Sequence, residues 1–163
     1  MRNLTTTLCL TLAVLLGSAG ISVSQDFMKG VDAYDRGDYA TALREWTLAA
    51  EQGHTFAQYN LGLMYDNGRG VPQDYALAVK WYTLAAEQGH AIAQKNLGVM
   101  YYNGEGVLQD YVYAHMWWNI AAANGNEDGG ELRDFVAERM TPADISVAQR
   151  LARECVAKNY KGC

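Results

Sequence analysis

At 163 residues, half of them hydrophobic, the chain has the length of one domain. Its net charge of −5, with no cluster of lysine and arginine, excludes a nucleic-acid footprint. Sixteen glycines against two prolines suit short helices separated by glycine turns.

The N-terminus begins with the weakly positive Met1-Arg2-Asn3 and continues into the apolar stretch Leu8 to Leu16, after which small residues accumulate: Gly17, Ser18, Ala19, Gly20, Ser22 and Ser24. This order of a basic start, a short apolar run and small residues reads as a secretory signal peptide over residues 1–24. Cleavage after Ser24 places Ser22 and Ser24 at the two small-residue positions, and cleavage after Ala19 is the alternative. An uncleaved anchor over 4–23 is the competing reading, and membrane contact is expected through that segment alone. The mature protein is expected to be exported, periplasmic or secreted.

From residue 25 the chain repeats itself. Residues 57–74 and 93–110 agree at 13 of 18 positions at an offset of 36. The segments 38–54 and 74–90 both end in TLAAEQGH. A period of this length signals stacked supersecondary units rather than a single catalytic core. Three equivalent helices are predicted over about 39–52, 75–88 and 111–124, each following an N-capping aspartate (Asp38, Asp74, Asp110) and preceding a glycine (Gly53, Gly89, Gly125). Ala78, Trp81, Tyr82, Ala85 and Ala86 recur at helical spacing and form one packed face.

A second helix type is predicted over 55–66 and 91–102, marked by Ala57, Leu61, Gly62 and Tyr65 and again by Ala93, Leu97, Gly98 and Tyr101. A helical glycine costs about 1 kcal/mol relative to alanine, so Gly62 and Gly98 imply close contact with a partner helix. The units are expected at 25–54, 55–90 and 91–126, the first with a shorter turn, DRGDY, in place of the glycine loop. Residues 127–163 fall outside the repeat and are expected to cap the stack, with helices at 131–140 and 142–158, the latter opened by Thr141-Pro142. Its inner face is expected to carry Ile145, Ala148, Leu151, Ala152 and Cys155.

Removing the signal peptide takes Cys9 and leaves Cys155 and Cys163. Export favours their pairing. Eight residues of continuous helix would separate them by roughly 12 Å. A disulfide allows about 7 Å between Cα atoms, so the helix must end soon after Cys155 and the tail turn back. Two unpaired thiols, or an intermolecular bridge, remain the alternatives.

The set Ala57, Leu61-Gly62, Tyr65, Gly68, Gly70-Val71, Asp74, Ala78, Trp81-Tyr82, Ala85-Ala86 and Gly89 resembles the Sel-1-like repeat family, a relative of the tetratricopeptide repeat. The next unit repeats the pattern from Ala93 to Gly125, with Trp118 in place of the tyrosine. The resemblance implies an all-α fold: an α/α superhelical solenoid of antiparallel helix pairs, closed here by the C-terminal helical cap. It implies a scaffold or adaptor rather than an enzyme. Some secreted, cysteine-rich members have been credited with penicillin binding or β-lactam hydrolysis. A cell-wall-associated or β-lactam-binding or -hydrolysing protein is therefore the alternative, although this chain lacks a disulfide inside its repeats.

No nucleophile–base set, HExxH, CxxC or phosphate-binding glycine pattern appears, so no catalytic residue, cofactor or metal is assigned. His54 and His90 sit at equivalent positions beside turn glycines, which suits a surface or capping role, and His115 reads as a partly buried packing residue. The acidic residues Glu127, Asp128, Glu131, Asp134 and Glu138 give a solvated face or a patch for a basic partner.

In tetratricopeptide-like stacks the first helix of each unit lines the concave side. That assigns a candidate groove for a protein or peptide to Gln58, Tyr59, Asn60, Leu63 and Asp66, and to Gln94, Lys95, Asn96, Val99 and Tyr102. Amides in such a groove suit an extended peptide backbone, and tyrosines are common interface anchors. The alternative for Asn60 and Asn96 is that they tie one helix to its neighbour.

Overall fold

The computed structural model describes residues 24–163, so the signal-peptide reading of the N-terminus lies essentially outside the described residues. Those residues form an all-helical chain: α1 over 24–35, then α2 (Tyr39–Glu51), α3 (Thr55–Asn67), α4 (Tyr75–Ala86), α5 (Ala91–Asn103), α6 (Tyr111–Ala123), α7 (Glu127–Ala137) and α8 (Pro142–Ala157). None of these helices is long and apolar enough to cross a membrane.

The local signals place the helices as expected. Asp38, Asp74 and Asp110 cap α2, α4 and α6, accepting from Thr41 N–H, Leu77 N–H and both Val112 and Tyr113 N–H. Thr141 opens α8 with a reciprocal capping box to Asp144 and Pro142 in its first turn.

From α2 to α7 each helix packs on the next, and α8 packs on α6, in an α/α solenoid whose odd-numbered helices form the first row and whose even-numbered helices form the second. What lets the rows approach is glycine against aromatic ring. A Cβ added at Gly62 would lie 2.5 Å from the Tyr82 ring, and one at Gly98 2.5 Å from Trp118, while Gly30 meets Trp46 in the same way. The three rings are 0%, 1% and 3% exposed, so the cost of a helical glycine is offset by closure over a large buried ring.

The C-terminal region corrects one boundary. The helix expected at 131–140 begins at Glu127 and runs through Gly129 and Gly130. Gly129 sits against the Trp118 carbonyl and the Ala122 amide, where a side chain would clash, so this glycine is a helix contact, while Gly130 faces open space. Glu127 and Asp128 in the first turn complement the helix dipole. Helix α8 packs on α6 and buries Ala148, Ala152 and Cys155, with Ile145 and Leu151 partly covered.

After Ala157 the chain reverses through left-handed Asn159, Tyr160 and Gly162, and Cys155 and Cys163 are joined with Cα atoms 5.4 Å apart. The closed tail is also tied to the stack. Tyr160 donates to Asn124 Oδ1 at 3.0 Å, and Gly162 N–H donates to Glu87 Oε1 at 2.9 Å.

Candidate functional site

The ten groove residues assigned from sequence divide into three groups. Gln58 and Gln94 are corrected outright, because their side chains are 4% and 0% exposed. Each donates through Nε2 to the last turn of the preceding helix, Gln58 to Ala50 O at 3.1 Å and Gln94 to Ala86 O at 3.0 Å. Each also accepts from a neighbouring amide, Gln88 at 2.7 Å and Asn124 at 2.9 Å. Buried and bonded through both nitrogen and oxygen, these amides lock unit to unit and lie out of a partner's reach.

A second group is engaged within the fold while keeping an exposed edge. Tyr59 stacks on His90 at 4.7 Å. Lys95 pairs with Asp128 of α7 at 3.0 Å. Asn96 lies close enough to the Tyr82 hydroxyl to lower the affinity of that phenol for its proton. Val99 and Tyr102 pack on the cluster of Ala114, Trp118 and Val136, Tyr102 also lying beside the Tyr111 and Phe135 rings.

The third group is Asn60, Leu63 and Asp66. They follow one another at intervals of three along α3 and therefore lie on one strip of that helix. Asn60 and Leu63 line a cavity of about 190 Å³ together with Val31, Tyr34 and Asp35 of α1 and the edge of Trp46. The residues from α1 and α2 were missed in the sequence. The shorter turn after Tyr34 breaks the 36-residue offset, yet Gly30 precedes Trp46 as Gly62 precedes Tyr82, and that pairing restores the register.

Asp66 lies one turn further along. Its Oδ2 accepts from the Tyr82 hydroxyl at 2.9 Å, and no described lysine or arginine pairs with it. Burial pushes its carboxyl above the usual carboxylate value; the Tyr82 hydrogen bond pulls it back, and the nearby Glu105 charge raises it further. The Tyr82 phenol is pushed up in turn, by burial first and then by the Asp66 charge.

The three histidines take no part in a catalytic arrangement. His54 and His90 cap α3 and α5, their Nδ1 atoms accepting from Ala57 N–H at 3.3 Å and Ala93 N–H at 3.1 Å. This requires the neutral ring, and burial lowers the affinity of both rings for a proton. His115 is 2% exposed, more deeply buried than its sequence position suggests. Among the described residues, no group of three or more histidine, cysteine, aspartate and glutamate side chains is arranged to hold a metal ion.

Two copies of the Sel1 repeat model match residues 55–90 and 91–126. The crystal structure of a Sel1 repeat protein from Oxalobacter formigenes is 38% identical, with a TM-score of 0.65 over 76% of this chain and 97% of that one. The chain belongs to the Sel1 repeat family. The Sel1 fold is further matched by a protective antigen of uropathogenic Escherichia coli strains displaying an SLR fold. That structure is 29% identical with a TM-score of 0.79, over 85% of this chain and 31% of the antigen. The DAP3-binding cell death enhancer 1 proteins of Rattus norvegicus and Mus musculus are 37% identical over 53 residues, which is 32% of this Sel1 chain and 10% of each relative's length. Sel1 repeats build protein-interaction scaffolds, and they are typically non-enzymatic.

Proposed function

We propose that this chain is an exported interaction module that presents the first-helix face of its solenoid to a protein or peptide. The observation that carries the reading is the open space between α1 and α3. At about 190 Å³ it falls below the roughly 300–1,000 Å³ of pockets that enclose a small-molecule ligand. It has the capacity for a side chain projecting from a larger partner. Its walls combine the apolar Val31 and Leu63 and the Trp46 edge with the polar Asn60 and Asp35, the mixture found where a partner's anchor residue is held.

Export is supported by the signal-like N-terminus and by the Cys155–Cys163 disulfide, a bond that persists in oxidising compartments. N-terminal sequencing of the mature protein from an extracytoplasmic fraction is expected to begin at Gln25, or at Gly20 for the alternative cleavage. Recovery of the intact Met1 end in the cytoplasm would contradict export.

The interaction reading is tested by photo-crosslinking in cells. A photoreactive residue at Asn60 or Val99 is expected to capture a partner. The same residue at the exposed second-row positions Leu48 or Val147 is expected to capture none. Equal capture from both rows would place binding elsewhere.

A further inference from the structure

In each of the three helix pairs, the first-row residue four positions after the helical glycine lies against the second-row ring that the glycine admits. Tyr34 lies 5.2 Å from the Trp46 ring in the first pair, and Tyr102 lies 5.7 Å from the Trp118 ring in the third. In the middle pair the corresponding residues are Asp66 and Tyr82, joined by a hydrogen bond of 2.9 Å. A ring-on-ring closure is thus replaced, at the centre of the face alone, by a carboxylate on a phenol.

The carboxylate is poorly served by its own chain. The cations of the first-row helices are already engaged: Lys29 with Asp26 at 3.3 Å, Lys95 with Asp128 at 3.0 Å and Arg133 with Asp134 at 2.8 Å. Arg69, the cation of the glycine loop after α3, is held on the Tyr34 hydroxyl at 2.7 Å. The neighbouring charge that acts on Asp66 is that of Glu105, of the same sign, and Asp35 at the cavity wall pairs with no described cation. A half-buried carboxylate with a hydrogen-bond donor but no countercharge is a cost to the fold, and a cation brought by a partner would offset it.

We propose that the segment bound by this face carries a lysine or arginine that pairs with Asp66 and, within four residues of it, a large apolar side chain that enters the cavity at Leu63. The spacing follows from the helix: residues three apart on α3 lie about 4.5 Å apart along its axis. Positions i and i+2 of an extended segment, or i and i+3 or i+4 of a helix, meet two such points. The inference rests on the interaction reading above and gives its partner a chemistry: basic and apolar, against an acidic carrier.

The probe is a phage-displayed library of random peptides, selected on the whole folded chain. Selected peptides are expected to hold Lys or Arg within four positions of Leu, Ile, Met or Phe. Their affinity is expected to fall ~10-fold in Asp66→Asn, and steeply with salt in the wild-type chain, as a charge pair open to solvent requires. The salt titration gives this answer without any variant, and a thermal melt checks the fold of Asp66→Asn. Peptides without basic residues, or binding indifferent to both salt and Asp66→Asn, would overturn the basic-partner inference and leave the interaction face standing. If every selected peptide still binds Leu63→Arg at full affinity, or none is selected, the face itself fails and this inference with it.

Discussion

The middle helix pair and its two neighbours share a glycine-on-ring contact and differ in what covers the ring. In all three, a helical glycine admits a ring from the second row: Gly30 and Trp46, Gly62 and Tyr82, Gly98 and Trp118. In the outer pairs a tyrosine covers that ring from the first row, adding aromatic contact to burial. In the middle pair Asp66 stands in the tyrosine's place and contributes a hydrogen bond together with a charge that burial opposes. The difference separates two demands on one position. Packing is served by the outer pairs, and the middle pair gives some of it up for a polar group on the candidate binding face.

The shared half of the comparison carries the largest expected effects. Gly62→Ala and Gly98→Ala each drive a methyl into a buried ring, and both are expected to lose about 2–3 kcal/mol in denaturant unfolding. Gly130→Ala, with open space around it in α7, is expected to be neutral or stabilising. A neutral Gly62→Ala would mean that the middle pair is not packed like the outer ones.

Next in size is Tyr82→Phe, which leaves the Asp66 carboxylate without its donor. It is expected to cost about 1–2 kcal/mol at neutral pH, and an unchanged midpoint would remove the hydrogen bond from the account.

The histidine caps sharpen the comparison by treating the middle and third units alike. His54 and His90 bind protons more weakly when folded than the ordinary value of 6.5, chiefly through burial. The unfolded chain therefore binds more protons in that range, and the caps' contribution is full above about pH 6.5 and lost as pH falls below it. A melting temperature that falls between pH 7 and 5 is expected, and His90→Asn, which caps without titrating, is expected to reduce the fall. A cap is worth about 1 kcal/mol, so the shift is modest.

The smallest effect is expected from Asp66→Asn. Its folded carboxyl lies above the usual value, so its favourable contribution is present below the ordinary carboxylate range and lost as pH rises through the raised value. At neutral pH the variant is expected to melt at the same temperature or slightly higher. A clear loss of stability would mean that the charge serves the fold.

What could be read in the sequence was what local chemistry fixes. Asp38, Asp74 and Asp110 cap helices whatever surrounds them, and Gly62 and Gly98 announce a close contact from their helical setting alone. The cysteine spacing already demanded the chain reversal seen at Asn159–Gly162. What could not be read was the direction of individual side chains. Gln58 and Asn60 are two residues apart on one helix; the first is locked to Ala50 and Gln88 and the second faces the cavity. A repeated polar residue marks either a joint or a surface, and its hydrogen-bond partners decide between them. The start of α7 at Glu127 was missed for a related reason, since the fit of Gly129 against α6 depends on a neighbour that local propensity does not describe. The cavity stayed hidden because the shorter first turn displaced Val31, Tyr34 and Trp46 from the 36-residue register.

The comparison is tested most directly by turning the middle pair into an outer one. In Asp66→Tyr with Tyr82→Trp, Gly62 still admits the ring, and Tyr75 stands where Tyr39 and Tyr111 flank the outer tyrosines. The decisive measurement is the affinity of this double variant, confirmed as folded, for the peptides selected by the wild-type chain. The account predicts that binding falls by ~10-fold or more while the melting temperature is kept. Full affinity in the folded double variant would contradict it.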